Sequence, residues 1–325
     1  MKELIIGVDI GGTSAKLGLI NDQGDIIEKW EIPTNTENGG IHIVDDVWEA
    51  INNKLEAKEF TTKQVLGIGV GAPGFIEGDT GFVYEAVNIG WKNYDFGNQL
   101  RKRSKLPVYV ENDANVAVLG ENWRGAGNQA ANLVAITLGT GVGGGIIANG
   151  EIVNGEAGMG GEIGHMTIDP NGYPCNCGRN GCLETIVSAT GIVRQAMKQI
   201  DMEKTSLLTN VLAEKGSITS KDVFQLAADG DKTAMRIVTH TADVLGMTIS
   251  NIGTMVNPSK VLIGGGVSKA GDLLLSEIRK AFNTYALVRV SQYCELKIAE
   301  LGNDAGIIGA AFLVKQKLEN VVFAN

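Results

Sequence analysis

No apolar run in the 325-residue chain approaches the eighteen residues of a membrane span. The start, Met1-Lys2-Glu3-Leu4-Ile5-Ile6-Gly7-Val8-Asp9, is no signal peptide, because its apolar part is short and meets an acid at once. There is no basic tract of the kind a nucleic-acid binder carries. Net charge is −9, and the one dense basic stretch, Arg101-Lys102-Arg103-Ser104-Lys105, reads as a solvated helix end favoured by the dipole. Cysteines number only four, three of them clustered so that they cannot pair evenly, and nothing here looks secreted, so a disulfide framework fits poorly. These absences predict a cytoplasmic protein with no membrane and no nucleic-acid partner. No Gly-Lys-Ser/Thr phosphate loop occurs. Two dinucleotide-like fingerprints, Gly69-x-Gly71-x-x-Gly74 and Gly139-x-Gly141-x-x-Gly144, are followed by a turn and a strand, not by the helix such a site requires.

What is present centres on residues 162–184. Three cysteines fall within eight residues, as Cys175-x-Cys177-x4-Cys182, and His165 stands ten residues before the first. Three thiolates and an imidazole form a closed tetrahedral set for Zn²⁺, with no open position for water. That points to a structural metal. Glu162 and Glu184 bracket the ligands, so the knot is expected to shape a binding site for a polar small molecule.

Around this stretch the pattern is α/β, with length for two domains. Strands are expected over 4–9, 16–20, 26–32, 65–70, 108–110, 133–138, 145–148, 261–263 and 294–300. Helices are expected over 41–58, 96–104, 114–123, 184–200, 231–256, 272–282 and 305–318. A hairpin surrounds 78–81, and Thr219-Ser220-Lys221-Asp222 reads as a capping signal. Cys294 is expected inside the last strand as a small buried thiol. A strand, a Gly-Thr turn and a strand occur twice, at Asp9-x-Gly11-Gly12-Thr13 and at Leu138-Gly139-Thr140-Gly141. This echo is read as two related domains facing across a cleft.

The same turns carry chemistry. Consecutive backbone N–H groups in a tight glycine turn attract anions without a lysine. Gly11, Gly12 and Thr13 form one such nest, and Gly139, Thr140 and Gly141 the other. Asp9 beside the first makes sense with Mg²⁺ between acid and phosphate. Asp113 follows a strand and begins a helix. It is either an N-cap or a general base that takes a proton from a hydroxyl attacking phosphorus. Asn112 offers both donor and acceptor to a sugar hydroxyl.

With these residues in view the chain resembles the ROK family of sugar kinases and repressors, along nearly its whole length. The resemblance rests on Asp9-x-Gly11-Gly12-Thr13, Gly69-x-Gly71-Ala72-Pro73-Gly74, Ala86-Val87-Asn88-Ile89-Gly90-Trp91, Glu111-Asn112-Asp113, Leu138-Gly139-Thr140-Gly141-x-Gly143-Gly144-Gly145, Gly161-Glu162-x-Gly164-His165, the cysteine stretch and Leu262-Ile263-Gly264-Gly265-Gly266. It implies an actin-like, ribonuclease-H-like duplicated fold with an inter-domain cleft. A smaller domain would span 1–115, joined by a C-terminal helix at about 303–325, and a larger one 116–302. It implies ATP-dependent phosphorylation of D-glucose at O6, with Asp113 as the base and Asn112, Glu162, His165 and Glu184 on the sugar. His165, Cys175, Cys177 and Cys182 would bind zinc, and Gly264, Gly265 and Gly266 would line the adenosine. It also implies a homodimer or homotetramer. Lys16 lies three residues past Thr13, where many relatives have a basic residue directly after the threonine, and takes no role. The family's repressors carry an N-terminal DNA-binding helix pair; this chain opens on its first strand, which speaks for a kinase. Rival readings are a kinase for fructose, mannose or N-acetylmannosamine, a non-enzymatic sugar-binding regulator, and a zinc hydrolase, which four protein ligands disfavour.

Overall fold

The computed structural model describes residues 4–202 and 206–323. Contacts divide it into two units. The first holds the described residues of 1–129, 152–161 and 301–325; the second holds those of 130–151 and 162–300.

The chain opens with strands β1 (Leu4–Ile10), β2 (Ser14–Asn21) and β3 (Ile26–Pro33), then helix α1 (Ile43–Ala57) and strand β4 (Val65–Ala72). A three-stranded antiparallel sheet follows, of β5 (Phe75–Glu77), β6 (Phe82–Ala86) and β7 (Trp91–Tyr94). Helix α2 (Phe96–Ser104), strand β8 (Val108–Asn112) and helix α3 (Asp113–Arg124) come next. In the second unit lie β9 (Leu133–Leu138), β10 (Val142–Ala148), the short β11 (Glu151–Ile152, whose last residue is counted with the first unit), α4 (Glu184–Val187), α5 (Ala189–Met202), α6 (Leu207–Lys215), α7 (Ser220–Ala228) and α8 (Lys232–Val256). Strand β12 (Lys260–Gly264), helices α9 (Asp272–Tyr285) and α10 (Val288–Tyr293) and strand β13 (Glu295–Ile298) complete that unit. Helix α11 (Ala305–Phe323) returns to the first.

Each unit is built on a five-stranded sheet, ordered β3-β2-β1-β4-β8 in the first and β11-β10-β9-β12-β13 in the second. Counted within its own sheet, each order is third, second, first, fourth, fifth. In both, the first strand is antiparallel to the second and parallel to the fourth, and the fourth is parallel to the fifth. The duplication therefore runs through whole sheets and not only through the Gly-Thr turns. Each sheet closes its own core. One gathers β1, β4, β8, α1 and α2; the other gathers β9, β12 and helices α5 to α9.

The first unit continues past residue 115, through α3, because α3 packs on α11. The two helices touch backbone to backbone: a Cβ on Gly309 would run into the Val116 carbonyl. Likewise α11 lies directly on the sheet where Gly69 leaves room for the Ala310 carbonyl.

Two expectations need correction. The helix expected over 184–200 is two helices, broken at Ser188, whose ψ of 165° is extended. The Gly139 carbonyl takes the Ala189 N–H at 2.8 Å, so a neighbouring turn ends α4 and starts α5. Cys294 is buried as expected, but it closes α10 and precedes β13. Burial pushes its thiol up to about 11. Helices α6 and α10 and strand β7 were not foreseen. Among the described residues, no helix is long and apolar enough to cross a membrane.

Candidate functional site

In the second unit, Ile163–His165 form one 3₁₀ turn after Glu162. The cysteine loop is closed by two isolated antiparallel bridges, Thr167 to Cys182 and Pro174 to Asn180. The Cys175 N–H donates to the Arg179 carbonyl at 2.8 Å. The loop turns at Gly178 and Gly181, with φ of 86° and 68°, where a side chain would be strained. These turns bring the ligand atoms of His165, Cys175, Cys177 and Cys182 within 4.8 Å of one another. Cys175 Sγ lies 3.6 Å from His165 Nδ1, and Cys177 Sγ lies 3.6 Å from Cys182 Sγ. Burial pushes the Cys175 thiol up to about 12. The Arg179 backbone N–H and guanidinium hold Cys177 down to about 6. Arg179 also donates to the His165 carbonyl at 2.7 Å. Three sulfurs and one imidazole nitrogen at this spacing fit a tetrahedral metal ion.

Both bracketing acids reach this cluster. Glu162 Oε2 is 4.0 Å from His165 Nε2. Glu184 Oε1 accepts from the Cys175 thiol at 3.5 Å, and its Oε2 accepts the Val142 N–H at 3.0 Å. A Cβ on Gly141 would collide with the Glu184 carboxylate. Glu184 thus ties the cysteine loop to the Gly139-Thr140-Gly141 turn. Gly264 ends β12 opposite Thr137, Gly265 and Gly266 follow it next to that turn, and a Cβ on Gly265 would strike the Leu138 backbone. Gly139 closes its turn by donating to the Gly141 carbonyl at 2.9 Å, and the Thr190 hydroxyl donates to the Thr140 carbonyl at 2.9 Å.

In the first unit, Asp9 sits in β1 opposite Lys16 of β2. Its carboxylate lies against Gly306 in the first turn of α11. Burial pushes its pKa up, and the Lys16 charge opposes that. The Gly11 N–H donates to the Ser14 carbonyl at 2.9 Å, so that donor is used in closing the turn; Gly12 and Thr13 are exposed at its tip.

Asn112 and Asp113 stand where β8 becomes α3. The N-cap is Asn112 and not Asp113. Asn112 Oδ1 accepts from the Ala114 and Asn115 N–H groups at 2.9 and 3.3 Å, and its Nδ2 donates to the Gly74 carbonyl at 3.1 Å. Asp113 is the first helical residue, and its Oδ1 accepts the Ala114 N–H at 2.8 Å. A helix N-terminus favours the ionised carboxylate. Behind them lies a buried polar group that sequence reasoning did not single out. Glu111, 5% exposed, accepts from the Asn112 N–H at 2.8 Å, Asn115 Nδ2 at 3.1 Å and Asn154 Nδ2 at 2.7 Å. Asn115 Nδ2 also donates to Asn154 Oδ1 at 3.0 Å. An acid closing an otherwise apolar strand was the available signal for Glu111; Asn154 had none. A cavity of about 740 Å³ adjoins this group, lined in part by Glu77, Tyr84, Glu111, Asn154 and Lys317, and neither Asn112 nor Asp113 lines it.

The ROK family profile matches residues 5–317. The chain is 51% identical to a glucokinase of Halalkalibacterium halodurans over 98% of this chain and 97% of that one. It is 36% identical to a glucokinase of Thermotoga maritima, over 97% of this chain and 98% of the relative. Among solved structures it is similar to a ROK family glucokinase of Streptomyces griseus in complex with glucose and AMPPNP. That match has a TM-score of 0.77 at 33% identity and covers 96% of this chain and 99% of the other.

Proposed function

The chain belongs to the ROK family, and from that premise we propose that it transfers the γ-phosphoryl group of ATP to the 6-hydroxyl of D-glucose. The observation that carries this is the 51% identity to a glucokinase along nearly the whole of both chains. The Streptomyces griseus relative, crystallised with glucose and AMPPNP, supports the pairing of hexose and adenine nucleotide.

In this reading Asp113 accepts the O6 proton. The O6–phosphorus bond forms, the bond from phosphorus to the bridging β-phosphate oxygen breaks, and ADP leaves. Asn112 has a second amide hydrogen to offer the sugar. Glu162, His165 and Glu184 hold the other hydroxyls. Gly11 and Gly139 close the two turns with their own N–H groups, Gly12, Thr13, Thr140 and Gly141 in those turns donate to phosphate oxygens, and Gly264, Gly265 and Gly266 lie along the adenosine. His165, Cys175, Cys177 and Cys182 would hold Zn²⁺, which braces the loop when bound; their donor set fits it. Asp9 is a hard oxygen donor beside a glycine turn and would hold Mg²⁺, directly or through water. The proposed domains, a smaller N-terminal one with the C-terminal helix and a larger middle one, each carry part of the machinery. A homodimer or homotetramer rests on the resemblance to the family, and a cytoplasmic setting suits the reduced thiols of the cysteine cluster.

A coupled assay with ATP, Mg²⁺ and a panel of glucose, fructose, mannose and N-acetylmannosamine tests the substrate. Glucose is expected to give the highest kcat/KM; a preference for another sugar overturns the choice of hexose. Asp113→Asn is expected to keep glucose affinity and lose turnover by about 10²-fold or more. A near-normal rate in that variant removes Asp113 as the base.

A further inference from the structure

We propose that the buried Glu111 and Asn115, with the half-buried Asn154, form a positioning network that fixes the β8–α3 turn and so aims the Asp113 carboxylate. The inference rests on the reading of Asp113 as proton acceptor. Glu111 immediately precedes the pair that carries the chemistry, yet its side chain turns inward. It accepts three hydrogen bonds, from the Asn112 backbone, from Asn115 in the first turn of α3 and from Asn154. Asn115 also donates to Asn154. Every bond in the triangle reaches either the turn or the helix that begins at Asp113.

A buried carboxylate is costly unless its oxygens are satisfied. Three amide donors satisfy this one, and Glu111 and Asn115 are 5% and 3% exposed. If folding stability alone were served, an apolar side chain at 111 would continue strand β8, whose Val108 and Val110 are buried. The polar triangle adds direction instead. It fixes the Asn112 N–H and the first turn of α3 at once, and with them the main chain of Asp113. Asn154 comes from a segment 43 residues away, eight residues before Glu162. The network therefore joins the turn with the proposed base to the chain that leads to a proposed sugar ligand. A displacement of about 1 Å at a reacting group is enough to cost about 10²-fold in rate.

The bonding pattern gives a reciprocal test. In Asn154→Asp two carboxylates face each other where a 2.7 Å donor bond stood. In the double variant Glu111→Gln/Asn154→Asp the charge has moved across the pair. The amide introduced at position 111 can donate to the carboxylate introduced at position 154, and its carbonyl oxygen can accept from Asn112 and Asn115. That carboxylate can still accept from Asn115 as well. We expect Asn154→Asp to lower kcat about tenfold or more, with AMPPNP affinity by calorimetry unchanged. Adding Glu111→Gln is expected to bring kcat back to within about threefold of the parent. If Asn154→Asp fails to fold by far-UV circular dichroism, Asn154→Ser is assayed in its place, with the same loss of kcat at unchanged AMPPNP affinity expected. Parental kcat in Asn154→Asp, or a double variant no faster than it, overturns the network. Asp113→Asn in the same series separates the two failures. Retained turnover there overturns the role of Asp113, whereas lost turnover beside a parental Asn154→Asp overturns the network alone.

Discussion

Asn112 and Asp113 stand side by side at the start of α3 and differ in what their side chains hold. Asn112 ties the first turn of the helix to the Gly74 carbonyl. Asp113 accepts its neighbour's N–H and does not cap the helix. Removing each therefore has a different consequence for stability. Asn112→Ala is expected to lower the free energy of unfolding by about 1–2 kcal/mol, since it loses a cap and a second hydrogen bond. Asp113→Asn should change it by less than the ~1 kcal/mol that a charge at a helix N-terminus is worth. Urea unfolding of the two variants measures the difference; equal losses would contradict the assignment of the cap. The sequence placed the helix start within a residue, but it offered Asp113 as the N-cap, one residue too late, where two good capping residues stand in succession. Only the dihedral angles of Asn112, −60° and 143°, settle it. Glu111 was readable as an acid ending an apolar strand. Its partner was not, because no periodicity links residues 43 apart.

Among the elements, a local capping signal was read correctly at α7 and missed at α6, whose Ser206 cap and Gly216 stop stand in the sequence, while breaks set by a neighbour left no local mark. Helix α7 opens with a capping box between Thr219 and Asp222, and both halves were visible in the spacing. Hydrogen bonds from Lys215 and from Thr219 hold the Asp222 carboxyl down to about 2, against an ordinary 3.8. A folded-state value below the unfolded one means the contribution is complete above about pH 4 and is lost as pH falls towards 2. Asp222→Asn is expected to lose about 1 kcal/mol at pH 6 and to show a shallower loss of stability than the parent between pH 4 and 2. Urea midpoints across that range test it, and parallel curves would show that the ion pair contributes nothing. The break between α4 and α5 had no such local mark, because the Gly139 carbonyl comes from another element. The contact of α3 with α11 is also tertiary. Gly309→Ala is expected to cost at least ~1–3 kcal/mol, because the Val116 carbonyl it meets belongs to a helix backbone and cannot swing away. A variant as stable as the parent would mean the two helices part at little cost.

Across the whole molecule the duplication was legible only at its turns. Two sheets of the same order need apolar runs and chain reversals in the same sequence, and many side chains supply those, so the repeat leaves almost no trace beyond the glycines. What differs between the halves is more useful experimentally. All four tryptophans, Trp30, Trp48, Trp91 and Trp123, belong to the first unit, and the cluster of His165, Cys175, Cys177 and Cys182 belongs to the second. Each unit has an apolar core of its own. Tryptophan emission therefore follows the first core, while the signal of α5 to α9 dominates the helical ellipticity of the second. If the cluster holds zinc, its binding free energy is folding free energy for the unit that contains it. Adding a chelator before a guanidinium titration should then lower the midpoint seen at 222 nm and leave the midpoint of tryptophan emission nearly where it was. Cys177→Ser should reproduce the split without chelator. A chelator that moves neither midpoint would show that the loop needs no metal. Two midpoints falling together would show that loss of the metal unfolds both cores in one transition, in which case emission alone would serve as the assay for zinc release.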